Sequence, residues 1–438
     1  MTTSWARVET ICPTRCRVCF RPWTACTMRA VATCIPQSVN PRAQPMKNFT
    51  PNLRKRISRR ACLRAASLFP TAGLAASRAS ATVTREGNVH TVDDVDTPAV
   101  VIDLDVLEKN INGMQQVCRD AGIDLMVHIK THKVPQIAHM QLRAGAVGIC
   151  CQKLGEAEVM VAAGIDGDVL IPYNIVGRPK LVRLARLAKR ARMTVAVDSE
   201  ITAKGISEQL RKDDASVRVF VELDTGGKRT GVQSPQAAVE LAQKVSKLAN
   251  LELRGVMTYP SRLETKPFIE ETVALFRKAG LPMEEISGGG TGAEARSKEI
   301  GCTVHRSGSY VFEGLKRISA SRNPPNPDTC ATRMIATVVS TPTPDRIIID
   351  GGQKTFQRGP RRGYGHIVEH PDAVIYGMSV EHGHVDVSAV SHKFRVGERL
   401  SVIPDHQGIT INHHDEAYAV RKGLIEDVWK VAGRGRVQ

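Results

Sequence analysis

The sequence lacks the features of several protein classes. Aromatic residues make up only 4% of its 438 residues, and no apolar run reaches the roughly 18 residues that a membrane-spanning helix needs. Six of the eleven cysteines lie in residues 1–81, where Cys16 and Cys19 form a CxxC pair. No second pair follows at zinc-ribbon spacing, and the other five cysteines have no disulfide-like spacing. We therefore expect neither stable membrane insertion nor a disulfide framework.

The net charge of +17 is concentrated near the amino terminus. Residues 1–81 hold fourteen of the 61 Lys and Arg residues and a single acid, Glu9, which gives this segment a balance of +13. The remaining 47 basic and 43 acidic residues nearly cancel. Because the body also has few aromatics and no repeated basic helix face, we do not expect it to bind nucleic acid.

Residues 1–81 are predicted to be a basic leader, and 46–81 resembles a twin-arginine export signal. A basic region around Arg59 is followed by a weakly apolar stretch, 65–76, and by the small residues 79–81 of a cleavage site. This pattern predicts a periplasmic protein that is exported already folded. The alternative is a mitochondrial-type presequence or a plain basic tail, and the latter leaves the protein in the cytoplasm.

A short apolar run followed by a helical pattern repeats along residues 97–322. Near-continuous apolar strands that alternate with helices predict a parallel sheet, and eight such units predict a closed (β/α)₈ TIM barrel. An open doubly wound sheet is the alternative, but no GxGxxG follows the first strand. The eight runs are 124–130, 146–151, 168–173, 193–198, 217–223, 252–259, 284–287 and 302–306, and the clearest helical segments are 153–163, 178–191, 200–212, 234–248 and 265–279.

The alternation with helices stops near residue 323. A proline-rich linker, 323–327, is followed by short strand-like runs, which predict a small β-domain over 328–438 that an amino-terminal strand, 88–96, also joins. The fold class is therefore α/β, a TIM barrel with a C-terminal β-domain. The predicted strands of this domain are 335–340, 346–350, 374–380, 400–404, 417–420 and 428–431.

The first of the eight barrel strands ends in Lys130. A lysine at the carboxyl end of a buried strand lies at the mouth of the barrel, where desolvation lets its amine act as a nucleophile toward a carbonyl. A lysine that simply points into solvent is the alternative.

Strands seven and eight run into glycine-rich turns, 287–292 and 306–310. Backbone N–H groups in such turns converge on an oxyanion, and barrels commonly hold phosphate there. A phosphate facing a carbonyl that condenses with lysine predicts pyridoxal 5′-phosphate as the cofactor. Arg229 is well placed to contact the ring hydroxyl, although an ion pair with Glu222 or Asp224 would also explain it.

Several motifs together resemble one enzyme class. Segments 97–99, 128–133 and 224–231 resemble the alanine-racemase-like, fold-type III pyridoxal-phosphate enzymes. Segments 255–260, 287–291 and 306–310 resemble, more narrowly, the D-threonine aldolase and D-serine dehydratase family. The resemblance runs from about residue 90 to the carboxyl terminus, and it implies a homodimer that acts on a small D-amino acid.

The resemblance also implies roles for single residues. Lys130 matches the lysine that condenses with the cofactor, and Lys133 is the weaker candidate. His132 is a candidate catalytic base. The other cofactor-binding residues implied are Gln152, Arg229, Tyr259, Gly289, Gly290, Thr291, Gly308 and Ser309.

The C-terminal domain departs from the family pattern at a metal site. The resemblance implies a divalent ion, Mn²⁺ or Zn²⁺, held by His406 and by a Cys or Asp two residues later, where this chain has Gly408. Asp405, His413 or His414 could replace the missing ligand. The alternative is that no ion binds and that His406 is a pocket histidine.

The expected activity is lyase cleavage of D-β-hydroxy amino acids to an aldehyde and glycine, with His132, His406 or a metal-held water as the base. One alternative is an ammonia lyase that dehydrates D-serine or D-3-hydroxyaspartate, in which a metal would assist the departing hydroxide. A second alternative is a non-catalytic carrier of pyridoxal phosphate.

Overall fold

The computed structural model describes residues 91–313, 326–357 and 364–438. The predicted leader with its CxxC pair and export signal, and residues 323–325 of the predicted linker, lie outside these ranges. No helix in the described ranges is both long enough and apolar enough to cross a membrane.

Eight parallel strands close into the predicted TIM barrel. Each pairs with its neighbours in chain order, and the last pairs with the first, which confirms the fold class. The strands are β2 Asp124–His128, β3 Gly148–Cys150, β4 Asp168–Ile171, β5 Arg192–Val197, β6 Val217–Leu223, β7 Leu251–Thr258, β8 Glu285–Gly289 and β9 Val304–Ser307.

Amphipathic helices cover the outside of the barrel. Their apolar faces pack on the strands, since residues such as Ile206 and Leu210 of one helix are buried while their polar neighbours stay exposed. The helices are α1 Leu104–Asp120, α2 Pro135–Arg143, α3 Leu154–Ala162, α4 Arg178–Ala188, α5 Glu200–Lys212, α6 Pro235–Val245, α7 Lys266–Lys278 and α8 Glu294–Glu299.

The inside of the barrel is a packed core rather than a pore. Inward side chains from the strands form one buried cluster, as expected for a closed eight-stranded sheet. Because this plug fills the interior, a ligand has access only to the ends of the strands. The cluster consists of Met126, Cys150, Leu170, Ala196, Phe220, Met257 and Val304.

The remaining strands form a second, nine-stranded sheet. Its strands are β1 Ala99–Asp103, β10 Thr332–Thr343, β11 Arg346–Ile349, β12 Gly365–Ile367, β13 Val374–Met378, β14 Gly383–Asp386, β15 Arg399–Pro404, β16 Glu416–Arg421 and β17 Leu424–Lys430, and a short helix, α9 Gln407–Ile411, follows β15.

The amino-terminal strand of this sheet differs from the prediction. Within the expected strand 88–96, the described part contains a 3₁₀ turn, Val92–Asp94. Instead β1, which lies inside the predicted barrel range 97–322, pairs antiparallel with β10 and parallel with β16. Its residues Ala99, Val100, Val101 and Ile102 are all buried, so an apolar run alone does not reveal which sheet it joins.

Candidate active site

The lysine that ends the first barrel strand lies on a tight turn. Strand β2 stops at His128, and Ile129–Thr131 forms a 3₁₀ turn that carries Lys130, in place of the longer predicted strand 124–130. Pro135 then starts α2 at a position where proline costs no hydrogen bond. The turn therefore places the Lys130 side chain at the carboxyl end of the barrel.

The Lys130 amine is electrostatically prepared for nucleophilic chemistry. Desolvation by the surrounding protein is the main cause that lowers its pKa, and the positive charges of Arg229 and Arg306 lower it further. The lowered pKa increases the fraction of neutral amine near neutral pH, which is the form that attacks a carbonyl.

The second lysine of the motif has a different environment. Lys133 is 7% exposed, and its Nζ donates to Asn412 Oδ1 at 2.6 Å and lies 3.4 Å from Glu156 Oε1. Its backbone also accepts a hydrogen bond from the N–H of Gly433. Lys133 therefore ties the turn to α3 and to the β-domain, and its amine is already engaged.

Gln152 lies beside the same turn. Its Oε1 accepts a hydrogen bond from His128 Nε2 at 3.1 Å, and its backbone N–H donates to Glu156 Oε2 at 2.7 Å. Burial, followed by the charge of Lys130, holds the pKa of His128 well below its usual value, so the imidazole is neutral. Glu156 thus supports both Lys133 and Gln152, a role that the sequence pattern did not reveal.

Arg229 and Tyr259 face each other across the ends of β6 and β7. The Arg229 guanidinium carbon lies 5.0 Å from the centre of the Tyr259 ring, in the range of a cation–π contact. The Arg229 Nη2 also lies 3.3 Å from Glu222 Oε1. Of the two ion pairs considered from the sequence, the one with Glu222 is present. It orients the guanidinium, which stays at the barrel mouth.

The glycine turn after β8 lies next to Tyr259. Gly290 has a φ of +128°, a conformation that L side chains rarely adopt, and its N–H donates to Arg306 O at 3.0 Å. A Cβ at Gly290 would lie 4.0 Å from Tyr259 Cε2. Gly289 donates its N–H to Ser261 Oγ at 2.9 Å, which fixes the start of the turn.

The turn after β9 brings a second set of groups to the same place. Ser309 Oγ donates to Thr291 Oγ1 at 3.0 Å, so the two glycine-rich turns meet. A Cβ at Gly308 would lie 2.8 Å from His128 O and 3.0 Å from Thr131 Oγ1, too close for any side chain. Gly308 therefore lets this turn approach the turn that carries Lys130.

These contacts form a cradle that fits a phosphate. The N–H groups of Gly289 and Gly290 already donate inside the protein, so the hydroxyls of Thr291 and Ser309 are the side-chain donors that the cradle offers to phosphate oxygens. The Lys130 amine lies on the adjoining turn. The cofactor-binding residues predicted from the sequence are thus brought together at one end of the barrel.

Arg306 is a site residue whose role the sequence did not indicate. It is fully enclosed beneath the mouth, where Nη1 donates to Ser287 Oγ at 2.6 Å and Nη2 donates to Thr258 O at 2.7 Å. Burial lowers the pKa of its guanidinium, which still carries a charge that acts on Lys130. Its place in the motif 306–310, two residues before Gly308, was the available signal.

His132 does not share the open position of Lys130. Its side chain is fully buried, its Nδ1 accepts a hydrogen bond from the N–H of Val134 at 3.1 Å, and its ring packs edge-on to Phe312. Burial lowers its pKa to about 3. This environment keeps the ring neutral and does not supply the exposed base that the sequence suggested.

His406 lies next to the lysine turn but is arranged as a helix cap. Its Nδ1 accepts a hydrogen bond from the N–H of Ile409 at 3.1 Å, at the start of α9. A Cβ at Gly408 would lie 3.4 Å from Thr131 Cα and 3.7 Å from His406 Cε1. The helix therefore packs against the turn, and residue 408 faces it without a ligand atom.

The candidate replacement ligands do not complete a metal site with His406. His413 Nδ1 lies 3.1 Å from Lys354 O, and His414 Nε2 lies 3.2 Å from Thr355 O, so each ring donates to a carbonyl. Within the described ranges, the group of three side chains close enough to share an ion does not include any residue from 405–414. Gly408 supplies no side-chain ligand atom, so the two-residue ligand pair that the resemblance implies is incomplete and does not fit a divalent ion.

The order of domains is also that of a known family. Residues 102–315 match the family described as "Alanine racemase, N-terminal domain", and residues 331–420 match "Putative serine dehydratase domain". Together these two matches cover most of the described chain.

Individual relatives agree with this pairing. The chain is 34% identical to the D-threonine aldolase of Arthrobacter sp over 358 residues, which cover 78% of this chain and 93% of that protein. It is 31% identical to the D-threo-3-hydroxyaspartate dehydratase of Delftia sp. (strain HT23), over 71% of this chain and 90% of that protein. The crystal structure of D-threonine aldolase from Filomicrobium marinum superposes with a TM-score of 0.74 and 33% identity, covering 80% of this chain and 99% of that one. The chain therefore belongs to the alanine-racemase-like, fold-type III family of pyridoxal-phosphate enzymes, in the branch that carries a serine-dehydratase-type C-terminal domain.

Proposed function

We propose that the protein is a pyridoxal-phosphate-dependent lyase that cleaves the Cα–Cβ bond of D-β-hydroxy amino acids to give an aldehyde and glycine. The observation that carries this proposal is the Lys130 amine, whose pKa is lowered, beside a cradle of two glycine-rich turns. The D-threonine aldolase of Arthrobacter sp, at 34% identity, supports the same chemistry.

The cofactor would supply the electron sink, and the protein's side chains would bind and orient it. Pyridoxal phosphate supplies, when bound, an electron sink for the pair left at the α carbon. Thr291 and Ser309 would hold its phosphate, and Arg229 and Tyr259 would line its ring. The ion pair with Glu222 holds the Arg229 guanidinium, so the position of this positive charge is set before a substrate binds.

Lys130 is the group best suited to move protons. Its lowered pKa raises the fraction of neutral Nζ, and in that form Nζ, once released by the substrate amine, can accept the proton of the β-hydroxyl as the Cα–Cβ bond breaks. The same Nζ then returns a proton to the α carbon of the product, which becomes glycine. Lys130 Nζ therefore accepts one proton and donates one proton in each turnover.

His406 is assigned a different role from the base that the sequence suggested. Because its Nδ1 accepts a hydrogen bond from Ile409, the proton of the neutral ring resides on Nε2. In this tautomer the ring donates a hydrogen bond and cannot take a proton at Nε2. We assign it to hold the oxygen of the β-hydroxyl, which becomes the carbonyl oxygen of the aldehyde.

Dehydration is the second candidate, favoured by the 31% identity to the D-threo-3-hydroxyaspartate dehydratase of Delftia sp.. In that reaction the hydroxide leaves from the β carbon, and a metal ion eases its departure. Gly408 removes the second ligand at the position where the family holds its ion. Cleavage to an aldehyde, in which the oxygen stays on carbon, tolerates that loss better.

The experiment is a substrate screen on the purified holoenzyme. D-Threonine should give acetaldehyde and glycine in equal amounts, and L-threonine should give neither. Pyruvate or oxaloacetate from D-serine or D-3-hydroxyaspartate, with no aldehyde, would instead establish the dehydratase. A yellow protein that turns over none of these D-amino acids would overturn both activities and leave the cofactor carrier.

A further inference from the structure

A second group of metal-ligating side chains lies in the β-domain, outside the site described above. It consists of His370, which follows β12, and of His392 and Glu398, which precede β15. One ligand atom from each side chain lies within 4.8 Å of the other two. No other set of three His, Cys, Asp or Glu residues in the described ranges meets this condition.

The two imidazoles converge on one carboxylate oxygen. His392 Nε2 lies 2.7 Å from Glu398 Oε1, and His370 Nε2 lies 4.0 Å from the same atom. The rings are stacked, with centroids 4.8 Å apart and planes 20° apart. Two nitrogens and one oxygen thus approach a common point, as the ligands of a single ion must when each binds it at about 2.0–2.2 Å.

The surroundings hold these ligands in place. The Phe394 ring packs edge-on against both imidazoles, with centroids 4.8 Å from each. The other carboxylate oxygen, Glu398 Oε2, accepts a hydrogen bond from the N–H of Arg395 at 3.1 Å. Support of this kind around the ligands is what distinguishes a built metal site from a chance surface cluster.

We propose that His370, His392 and Glu398 form a site for a divalent transition-metal ion of the zinc type. Two imidazoles and a carboxylate are a donor set that zinc uses in proteins. The three side chains are 19%, 41% and 22% exposed, so an ion can enter and a water can take the fourth position.

The place of the site in the fold makes its role structural. Glu398 comes immediately before β15 and His406 follows two residues after it, and six extended steps at about 3.3 Å each separate Glu398 from Pro404 by roughly 20 Å. An ion at Glu398 therefore lies far from Lys130. It links the loop after β12 to the loop before β15, and its removal should lower stability without stopping catalysis.

The test measures zinc in the full-length holoenzyme, purified without a histidine tag. We expect one tightly bound zinc per chain after dialysis against ZnCl₂ and buffer. His392→Gln and Glu398→Gln should each weaken binding by more than about 100-fold, because even changes outside the ligand set cost about 10- to 100-fold. Zinc should raise the melting temperature of the wild type but not of these variants.

Matched variants separate this site from the other candidates. His406→Gln should keep the zinc, and so should Cys16→Ser/Cys19→Ser, whose CxxC pair lies outside the described residues. Cobalt in place of zinc should give visible bands of nitrogen and oxygen ligands without a thiolate charge-transfer band. Full zinc retention in both cluster variants, or loss of zinc only in His406→Gln or in the cysteine variant, would overturn the proposal.

Discussion

Histidines lie near both ends of strand β15, but their environments differ. Those at one end are arranged to bind a metal ion, and the one at the other end is arranged to cap a helix. At the barrel end, His406 Nδ1 accepts a hydrogen bond from the N–H of Ile409, and Gly408 occupies the position of the second ligand. At the distal end, His370 and His392 direct their Nε2 atoms at one carboxylate. The two ends therefore differ in the partner that they offer: Glu398 lies within reach of the distal imidazoles, whereas Gly408 offers His406 no side-chain ligand.

The same lesson holds for the two lysines of the motif. Lys130 and Lys133 are three residues apart, but one amine faces the barrel mouth and the other is paired with Glu156 and Asn412. The barrel mouth thus combines a reactive group with a structural one. Variants at these residues distinguish the two lysines from each other and from the distal end of β15.

The largest expected effect is that of Lys130→Ala at the barrel mouth. Lyase activity should fall by more than about 1,000-fold, because proton transfer alone contributes roughly 10²- to 10⁴-fold and the covalent role of the amine is lost as well. Borohydride reduction followed by mass spectrometry should attach the cofactor to Lys130 in the wild type and to no lysine in the variant. Cofactor found on Lys133 in either protein would contradict the assignment of Lys130 as the reactive lysine and Lys133 as the structural one.

Lys133→Met should reduce stability more than it reduces the chemical step. Removing Lys133 leaves the buried Glu156 carboxylate with only its backbone hydrogen bonds, and breaking a buried pair costs about 3–5 kcal/mol of unfolding free energy, measured by urea denaturation. The added variant Glu156→Gln should recover part of this loss, since it removes the buried charge. Borohydride should still attach the cofactor to Lys130 in the folded fraction; failure to do so would give Lys133 a chemical role.

Much of this contrast could be read from the sequence, and some could not. The eight apolar runs predicted the barrel because each strand is buried on both faces, and the glycine turns predicted the cradle because few other sequences allow those backbones. The β-domain was harder to predict: β12 Gly365–Ile367 and β14 Gly383–Asp386 are short and contain glycine and histidine, so they show no strand pattern. Arg306 binds Ser287 and Thr258, which lie 19 and 48 residues earlier in the chain, and one sequence without its fold does not reveal such partners.

Gly408→Asp tests whether the barrel end of β15 can regain a metal ligand. A Cβ there would meet Thr131 Cα at 3.4 Å and Thr131 O at 3.6 Å, which is ordinary van der Waals contact, so the fold should tolerate the change. The variant should bind one more zinc or manganese ion than the wild type, and Gly408→Asn should bind fewer ions than Gly408→Asp. A second ion already present in the wild type would contradict the assignment of His406 as a hydrogen-bond donor.

The smallest effect concerns the charge beside Lys130. The positive charge of Arg229 helps to lower the pKa of the amine, so Arg229→Gln should raise that pKa and move the acid limb of kcat, which reports groups of the enzyme–substrate complex, toward higher pH. The shift should be less than about one pH unit, since desolvation is the larger cause and remains. Arg229→Lys keeps the charge and should leave the limb near its wild-type position, even if it binds the cofactor less well. A limb that moves equally in both variants would show that Arg229 acts through contact with the cofactor rather than through its charge on Lys130.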